Sequence, residues 1–223
     1  MAALPRTGGD LGCRLFCFSQ LELASPAHGG PAKQQFEPST TIQIHRGAAR
    51  KPVRIPVMKI ALGADHAGFE LKQKIKNHLI AEGVQVDDRG TVSNESVDYP
   101  DFARLVGEEV AQRQADLGIL VCGSGVGMAM AANKVPGIRA ANVTTEYEAQ
   151  MSREHNDANV LALGGRVLNE QQAMKIVDLW LHTPFAGGRH QRRVDKIMQI
   201  EQDEMRAEMA HEGERKRSVR IAD

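Results

Sequence analysis

The sequence predicts an α/β fold in which a parallel sheet is covered by helices on both faces. Short apolar runs, typical of buried strands, alternate with longer segments whose apolar residues recur at helical spacing. Three glycines follow the central apolar run within five residues, as at a tight turn from a strand into a helix. Apolar residues make up 42% of the 223 residues and charged residues 25%, the proportions of an ordinary globular protein. These observations indicate a doubly wound, Rossmann-like domain over residues 58–202.

The elements of this domain follow from the apolar pattern. The predicted strands are residues 58–63, 84–86, 117–121, 139–143 and 160–164. The predicted helices cover residues 71–80, 100–110, 128–134, 146–153, a segment from 171 up to Pro184, and a segment from about 189 onward. Gly83 suits the C-terminal cap of the first helix, and Pro100 suits the first turn of the second.

Two segments fall outside this pattern. Residues 1–57 are rich in Gly, Pro, Ser and Arg and show no lasting periodicity, so we predict a disordered extension. Because Met58 opens the first predicted strand, an alternative is an over-long gene prediction whose true start is Met58. Residues 203–223 carry mixed charge and are predicted to form a solvated helical tail.

Composition excludes several classes of function. Lys and Arg total 28, as do Asp and Glu, so net charge draws the chain neither to nucleic acid nor to a membrane surface. No apolar run approaches the roughly 18 residues of a membrane span. Three cysteines are too few for a disulfide framework, and a reducing cytoplasm is the predicted location.

Polar residues that could act on a ligand follow the predicted strands. In a doubly wound sheet, ligands bind at the carboxyl ends of the strands. The residues at or just beyond these ends are Asp65, His66, Cys122, Ser124 and Arg166. A thiol that faces a turn and a helix N-terminus gains thiolate character. This position therefore suits a reactive cysteine.

Two further pairs lie outside the strand ends. His155 and Asn156 end the helix before the fifth strand, and Arg189 and Arg193 share one helical face. Arginine binds phosphate in bidentate fashion, and a thiol with imidazoles suits proton transfer rather than hydride transfer. No cluster of metal ligands is present in the pattern, so no metal or organic cofactor is expected.

Each candidate also has a purely structural interpretation. Asp65 could cap a helix N-terminus, and His155 could be a cation at a helix C-terminus. Paired arginines are most often solvated surface, and Cys122 could be a small buried residue beside a structural turn. The glycine pattern is not the dinucleotide-binding G-x-G-x-x-G motif, because the third glycine comes one residue early.

Five ordered segments together resemble type B ribose-5-phosphate isomerases. The resemblance covers residues 58–202. The segments are Met58–Gly68, Cys122–Gly127, Ala132–Lys134, His155–Val160 and Gly187–Arg193. The family has a Rossmann-like fold and acts in the pentose phosphate pathway, so the resemblance implies an enzyme of carbohydrate metabolism. Isomerases of galactose 6-phosphate, allose 6-phosphate and four-carbon sugar phosphates look similar, so these substrates remain open.

The resemblance implies a role for each candidate residue. Cys122 matches the general base that moves a proton between C2 and C1 through an enediolate. The loop that matches the oxyanion hole comprises Gly123, Gly125, Val126 and Gly127. His155, with Asp65 and Ser124 near it, matches the group that opens the furanose ring. The phosphate clamp is matched by His66, Arg166, Arg189 and Arg193, and a hydroxyl contact by Asn156. A branch of the family lacks the cysteine and has a glutamate base where this chain has Met128, so the chain resembles the cysteine branch.

The resemblance also implies a homodimer, with further pairing into a tetramer left open. Arg189 and Arg193 follow a break at Pro184 and Gly187–Gly188, on a helix that is expected to leave the domain and project towards a partner subunit. Val194, Ile197 and Met198 would then be buried against that partner. A phosphate-ligand sensor without turnover is the alternative from another class, although a pure binder would not need Cys122, His155 or Asp65.

Overall fold

The computed structural model describes residues 58–222. The strands of the described part are β1 (Lys59–Ala64), β2 (Gln85–Asp88), β3 (Leu117–Cys122), β4 (Ala140–Asn142) and β5 (Val160–Gly164). The helices of the same part are α1 (Phe69–Ala81), α2 (Tyr99–Ala111), α3 (Val126–Ala132), α4 (Glu146–Asn156), α5 (Glu170–His182) and α6 (Arg189–Ala222).

The five strands form one parallel sheet in the order β2-β1-β3-β5-β4. β1 therefore has β2 on one side and β3 on the other, so the chain reverses its direction of winding between β1 and β3. A crevice opens at such a switch point, beyond the carboxyl ends of the strands. The loops after β1 and β3 flank this crevice. Asp65 and His66 lie in the first loop, and Cys122 ends β3 directly before the second.

Helices cover both faces of the sheet. One core packs α1, α4 and α5 against one face and includes Ile60, Leu62 and the fully buried Trp180. The other core packs α2 and α3 against the opposite face and includes Val106, Leu120 and Met128. β3 lies between both cores and is buried along its whole length. The doubly wound fold is therefore confirmed, and its central strand ends on Cys122.

The observed boundaries differ from the predicted ones mainly in the helices. α3 begins two residues earlier than predicted, directly after Gly125, and α4 continues to Asn156. α6 is one continuous helix through the segment predicted as a fraying tail. Its first turns pack on the same chain, since Val194 is buried and the Glu201 carboxylate accepts hydrogen bonds from the Gly137 amide. The extension predicted for residues 1–57 lies outside the described residues.

Candidate active site

Cys122 lies at the carboxyl end of β3, with its side chain almost fully buried. Its Sγ accepts a hydrogen bond from the backbone N–H of Gly125, at a distance of 3.1 Å. The thiol therefore points into the turn that leads to α3, as the sequence predicted.

The turn itself depends on glycine. Gly125 has φ +82°, in the left-handed region that glycine adopts without strain, and it immediately precedes α3. A Cβ at Gly125 would lie 2.1 Å from Oδ1 of Asn142, and one at Gly127 would lie 2.7 Å from the ring of Tyr99. Larger residues at either position would therefore displace the loop from Cys122.

Asp65 and His66 follow β1, next to this turn. Asp65 is buried; its own amide donates to the carbonyl of Val121 at 3.2 Å, and its Oδ1 accepts from the amide of Gly68 at 2.9 Å. Nδ1 of His66 accepts from the amide of Val97 at 3.3 Å, which leaves Nε2 as the protonated nitrogen of a neutral ring. The helix-cap interpretation of Asp65 is wrong, because α1 has Gly68 as its N-cap and no side-chain cap hydrogen bond. The bond from the Gly68 amide to Oδ1 instead closes the turn before α1 and fixes the carboxylate beside the end of β3.

Arg166 joins the same group through the turn after β5. Its amide donates to the carbonyl of Gly123 at 3.1 Å, and the preceding amide, that of Gly165, donates to the carbonyl of Cys122 at 2.7 Å. The Arg166 guanidinium lies 3.6 Å from the position that a Cβ on Gly123 would take. We call the residues at this edge of the sheet the Cys122 cluster: Asp65, His66, Cys122, Gly123–Gly127 and Arg166.

His155 and Asn156 lie at the last turn of α4, which two arginines hold in place. The helix ends on Asp157, which has φ 45°. Arg139 donates to the carbonyls of Asn156 and Asp157, and the Asp157 carboxylate pairs with both Arg139 and Arg153 at 2.9 Å. These charged hydrogen bonds fix the left-handed end of α4 and with it the position of His155.

The start of α6 lies against this end of α4. The amide of Ala186 donates to the carbonyl of Glu154 at 3.0 Å. The ring of His190 stacks on that of His155, with centroids 4.1 Å apart and planes 5° apart. Arg189 and Arg193 are exposed one helical turn apart. We call this group the His155 cluster: His155, Asn156, Arg189, His190 and Arg193.

The two clusters lie at opposite edges of the sheet within one chain. α4 starts beyond the carboxyl end of β4 and runs back, so His155 precedes the first residue of β5, Val160. Cys122 is paired with Gly164 at the other end of β5. Eleven residues of helix, or five of strand, span about 16 Å. The expectation that His155 has Asp65 and Ser124 near it is therefore not met within one chain.

Arg166 lies apart from the other two arginines of the expected phosphate clamp. It contacts the Cys122 cluster at the end of β5, whereas Arg189 and Arg193 belong to the His155 cluster. The physical reason is the direction of the elements: Arg166 follows a strand at its carboxyl end, whereas Arg189 follows α5, which runs back to the amino edge.

His190 has no role in the sequence analysis, although it lies inside one of the motifs. Burial, followed by the nearby charges of His155, Arg189 and Arg193, lowers the pKa of His190 below its ordinary value, and Glu154 opposes this weakly. The neutral ring is therefore favoured. The sequence signal was its position between Arg189 and Gln191, which places it on the opposite side of the helix from Arg192.

Lys72 is the second residue that the sequence did not reveal. It is fully buried, and its Nζ donates to Asp88 at 2.6 Å and to the carbonyl of Thr91 at 2.7 Å. Burial opposes ionisation of Asp88, but hydrogen bonds from Lys72, Lys76 and the amide of Gly90 outweigh it, so the pKa of Asp88 lies below its ordinary value. This ion pair anchors the segment that leads from β2 towards Val97.

Two clefts among the described residues lie away from the Cys122 cluster. A cleft of about 570 Å³ lies between α2 and the segment after α3, and its lining includes none of the candidate residues. A cleft of about 260 Å³ is lined by Asn156, Arg139 and Ile197, beside the His155 cluster. The chemistry of the strand ends therefore locates the candidate site better than cavity volume does.

The described residues show neither a metal-type cluster of side chains nor a membrane-spanning helix. Within residues 58–222, no three His, Cys, Asp or Glu side chains are grouped so that they could hold a metal ion. Across the described helices, none combines the length and the apolar character needed to cross a bilayer.

Comparison with known proteins identifies the family. Residues 60–197 match the model of the ribose/galactose isomerase family. Ribose-5-phosphate isomerase B of Escherichia coli is 54% identical over 144 residues, which cover 65% of this chain and 97% of that protein. The structure of the Clostridium thermocellum ribose-5-phosphate isomerase B is 55% identical, with a TM-score of 0.65 over 66% of this chain and 99% of the other. A structure of the Mycoplasma genitalium enzyme with bound ribulose 5-phosphate is 46% identical, with a TM-score of 0.63 over 65% of this chain and 97% of the other. These matches confirm the resemblance to type B enzymes, and the chain belongs to the ribose/galactose isomerase family.

Proposed function

We propose that this protein interconverts ribose 5-phosphate and ribulose 5-phosphate. The similar proteins of Escherichia coli and Clostridium thermocellum carry the name ribose-5-phosphate isomerase B. The observation that carries the proposal is the position of Cys122, a thiol at the carboxyl end of the central strand that accepts the Gly125 N–H. Its neighbours Asp65, His66 and Arg166 supply the polar groups that a phosphorylated sugar requires.

In the proposed reaction, the Cys122 thiolate removes the proton from C2 of the open-chain aldose. The C–H electrons form the C1–C2 double bond while the electrons of the C1 carbonyl move to O1, which gives the enediolate. The proton of the C2 hydroxyl then passes to O1, and the thiol returns its proton to C1 as the C2 carbonyl forms, which gives the ketose. The N–H groups of the Gly123–Gly127 loop stabilise the negative oxygen of the intermediate. No electrons leave the sugar, so the reaction needs neither an oxidant nor a reductant.

The His155 cluster completes the proposed site from a second chain. His155 would open the furanose ring, with Asp65 and Ser124 of the other subunit opposite it, while Asn156 binds a sugar hydroxyl. Arg189 and Arg193 would hold the phosphate together with His66 and Arg166. Because the two clusters lie about 16 Å apart within one chain, a two-fold dimer that juxtaposes them would form two equivalent composite sites.

Replacement of Cys122 by serine tests the proposal. A serine hydroxyl is too weak an acid to supply the anion, so Cys122→Ser should lower kcat by a factor of about 10²–10⁴. The dissociation constant for ribose 5-phosphate, measured by calorimetry, should stay close to that of the wild type. Turnover by the serine variant at a rate near that of the wild type would remove Cys122 from the mechanism.

A longer or shorter sugar phosphate is the second candidate substrate. The family name includes galactose isomerases as well as ribose isomerases, which favours a test of six-carbon substrates. Assays with ribose 5-phosphate, allose 6-phosphate, galactose 6-phosphate and erythrulose 4-phosphate at matched concentrations decide between them. Binding of all four without turnover of any would instead indicate a sensor. The cytoplasmic location inferred from the cysteine content stays a prediction.

A further inference from the structure

His190 contacts both His155 and Arg189, to which the proposed function gives different tasks: ring opening for His155 and phosphate binding for Arg189. His190 is only 7% exposed, although Arg189 and Gln191 on either side of it are exposed. Its burial comes from the end of α4, against which the first turn of α6 packs. Desolvation and positive neighbours both disfavour the protonated form of a buried imidazole. The burial of His190 at this position therefore needs an explanation from the contacts of its ring.

Two contacts of the His190 ring supply that reason. One face of the ring stacks on His155, with planes 5° apart and centroids 4.1 Å apart. Nε2 of the ring accepts a hydrogen bond from Nε of Arg189 at 3.2 Å. An Arg Nε–H can only donate, so Nε2 of His190 must carry the lone pair, and the proton of the neutral ring must be on Nδ1. A single tautomer of one ring therefore contacts both His155 and Arg189.

We propose that His190 is a positioning residue that orients His155 for ring opening through stacking and orients Arg189 for phosphate binding through the hydrogen bond. This inference rests on the proposed function, because it is there that His155 and Arg189 have these tasks. His190 itself does not touch the sugar. It couples the two tasks, since any rotation of its ring that breaks one contact also changes the other.

The coupling depends on pH. The charged and titratable groups that face His190 are His155 and Glu154 from α4, and Arg189 and Arg193 from α6. Burial and the three cationic neighbours favour the neutral ring, which is the form that accepts from Arg189. Protonation places a donor on Nε2, so the bond to Arg189 is lost and a cation is added beside two arginines. Acid should therefore weaken phosphate binding beyond the loss that the titration of the substrate phosphate causes.

Two substitutions separate the two contacts. His190→Phe keeps a flat ring for stacking but has no acceptor, so KM for both ribose 5-phosphate and ribulose 5-phosphate should rise about tenfold, with little change in kcat. His190→Gln keeps an acceptor but loses the ring. Its KM should stay within about threefold of the wild type, while kcat for ribose 5-phosphate falls about tenfold. Ribulose 5-phosphate is an open-chain ketose that needs no ring opening, so its kcat should change less in the glutamine variant.

The pH profile provides a readout that a merely structural residue would not move. In the wild type, KM should rise below the pKa of His190. In His190→Gln this acid-side rise should be smaller, because the amide does not titrate. Kinetic constants for both variants within twofold of the wild type, or a drop in thermal stability with unchanged kinetics, would overturn the proposal.

Nuclear magnetic resonance of the wild type tests the geometry without any substitution or turnover. The ¹⁵N shifts of His190 at neutral pH should show a proton on Nδ1 and none on Nε2, and a proton on Nε2 would refute the proposal even if both variants failed to fold. If the wild type neither isomerises these sugars nor binds inorganic phosphate, the proposed function fails separately. In that case the tautomer and the Arg189 Nε–H resonance, compared between the wild type and His190→Phe, still decide whether His190 holds Arg189.

Discussion

Two inactive variants should restore each other's activity if the active site is shared between subunits. Cys122→Ala removes the proposed base from the Cys122 cluster, and Arg189→Ala removes a phosphate ligand from the His155 cluster. Within one chain these side chains lie at opposite edges of the sheet, because β5 separates them by about 16 Å. A five-carbon sugar phosphate is too short to reach from one to the other in the same chain. The proposed site would therefore take one cluster from each of two chains.

The expected recovery follows from counting sites. Random exchange between equal amounts of the two variants makes about half of the dimers mixed. In a mixed dimer, one site carries both substitutions and the other carries neither. Half of the sites in half of the dimers are then intact, so the mixture should recover about a quarter of the wild-type activity.

The assay measures ribulose 5-phosphate formation after subunit exchange, with exchange verified by native mass spectrometry of a mass-labelled variant. Cys122→Ala mixed with Arg166→Ala is the matched control. Both substitutions lie in the Cys122 cluster, so every site in that mixed dimer keeps one lesion and activity should not return. Verified exchange without recovery in the first mixture would show that Cys122 and Arg189 act in the same subunit's site.

Three further predictions concern the domain as a whole. Asp88→Asn should lower the free energy of unfolding by about 3 kcal/mol, because it leaves the fully buried Lys72 without its carboxylate. Glu170→Gln is the control: it breaks the exposed pair with Lys74 and should lower the free energy of unfolding by less than about 1 kcal/mol. Because folding lowers the pKa of Asp88, the stabilisation by its carboxylate is present above pH 3.8 and is lost as the pH falls through the folded-state pKa. Urea unfolding of Asp88→Asn should therefore depend less on pH in that acid range than unfolding of the wild type. Residues 58–223 alone should fold and show full turnover, and the intact mass of the native protein decides whether the chain begins before Met58. EDTA should leave activity unchanged, and inhibition that a divalent ion reverses would contradict the metal-free mechanism.

The sequence predicted the fold well because its signals are local and repeated. β3 is an uninterrupted apolar run with glycines directly after it, a pattern that a parallel strand buried on both faces requires. The ends of the helices were less certain. α6 continues through residues 203–222 because Glu, Arg, Met and Ala favour helix, and pairs four residues apart, such as Gln199 with Asp203, add support. These contributions are individually small, and periodicity alone does not reveal their sum.

The sequence predicted which residues are candidates better than it predicted which of them lie near one another in the fold. Asp65 and His66 lie at the same edge of the sheet as Cys122 because they follow β1, the strand that pairs with β3, and the topology alone requires this. His155 was grouped with them by function, although a helix that connects parallel strands returns the chain to the amino edge. The burial of Lys72 could not be predicted from the sequence, for a different reason. Its burial depends on Asp88 and the carbonyl of Thr91, and these distant partners have no counterpart in the local pattern.

The two clusters differ in how their side chains are held, and this difference bears on the choice of sugar. Cys122 ends a strand that is hydrogen-bonded on both sides and buried between two cores, so the position of the thiol is fixed. Arg189 and Arg193 are exposed and follow Gly187 and Gly188, which both have positive φ. Proton transfer between C1 and C2 tolerates little displacement. The distance from C1 to the phosphate, in contrast, grows with each carbon of the sugar. In the proposed site, the segment before α6 and the contacts of His190 would therefore set the sugar length, whereas the turn after β3 would set the chemistry.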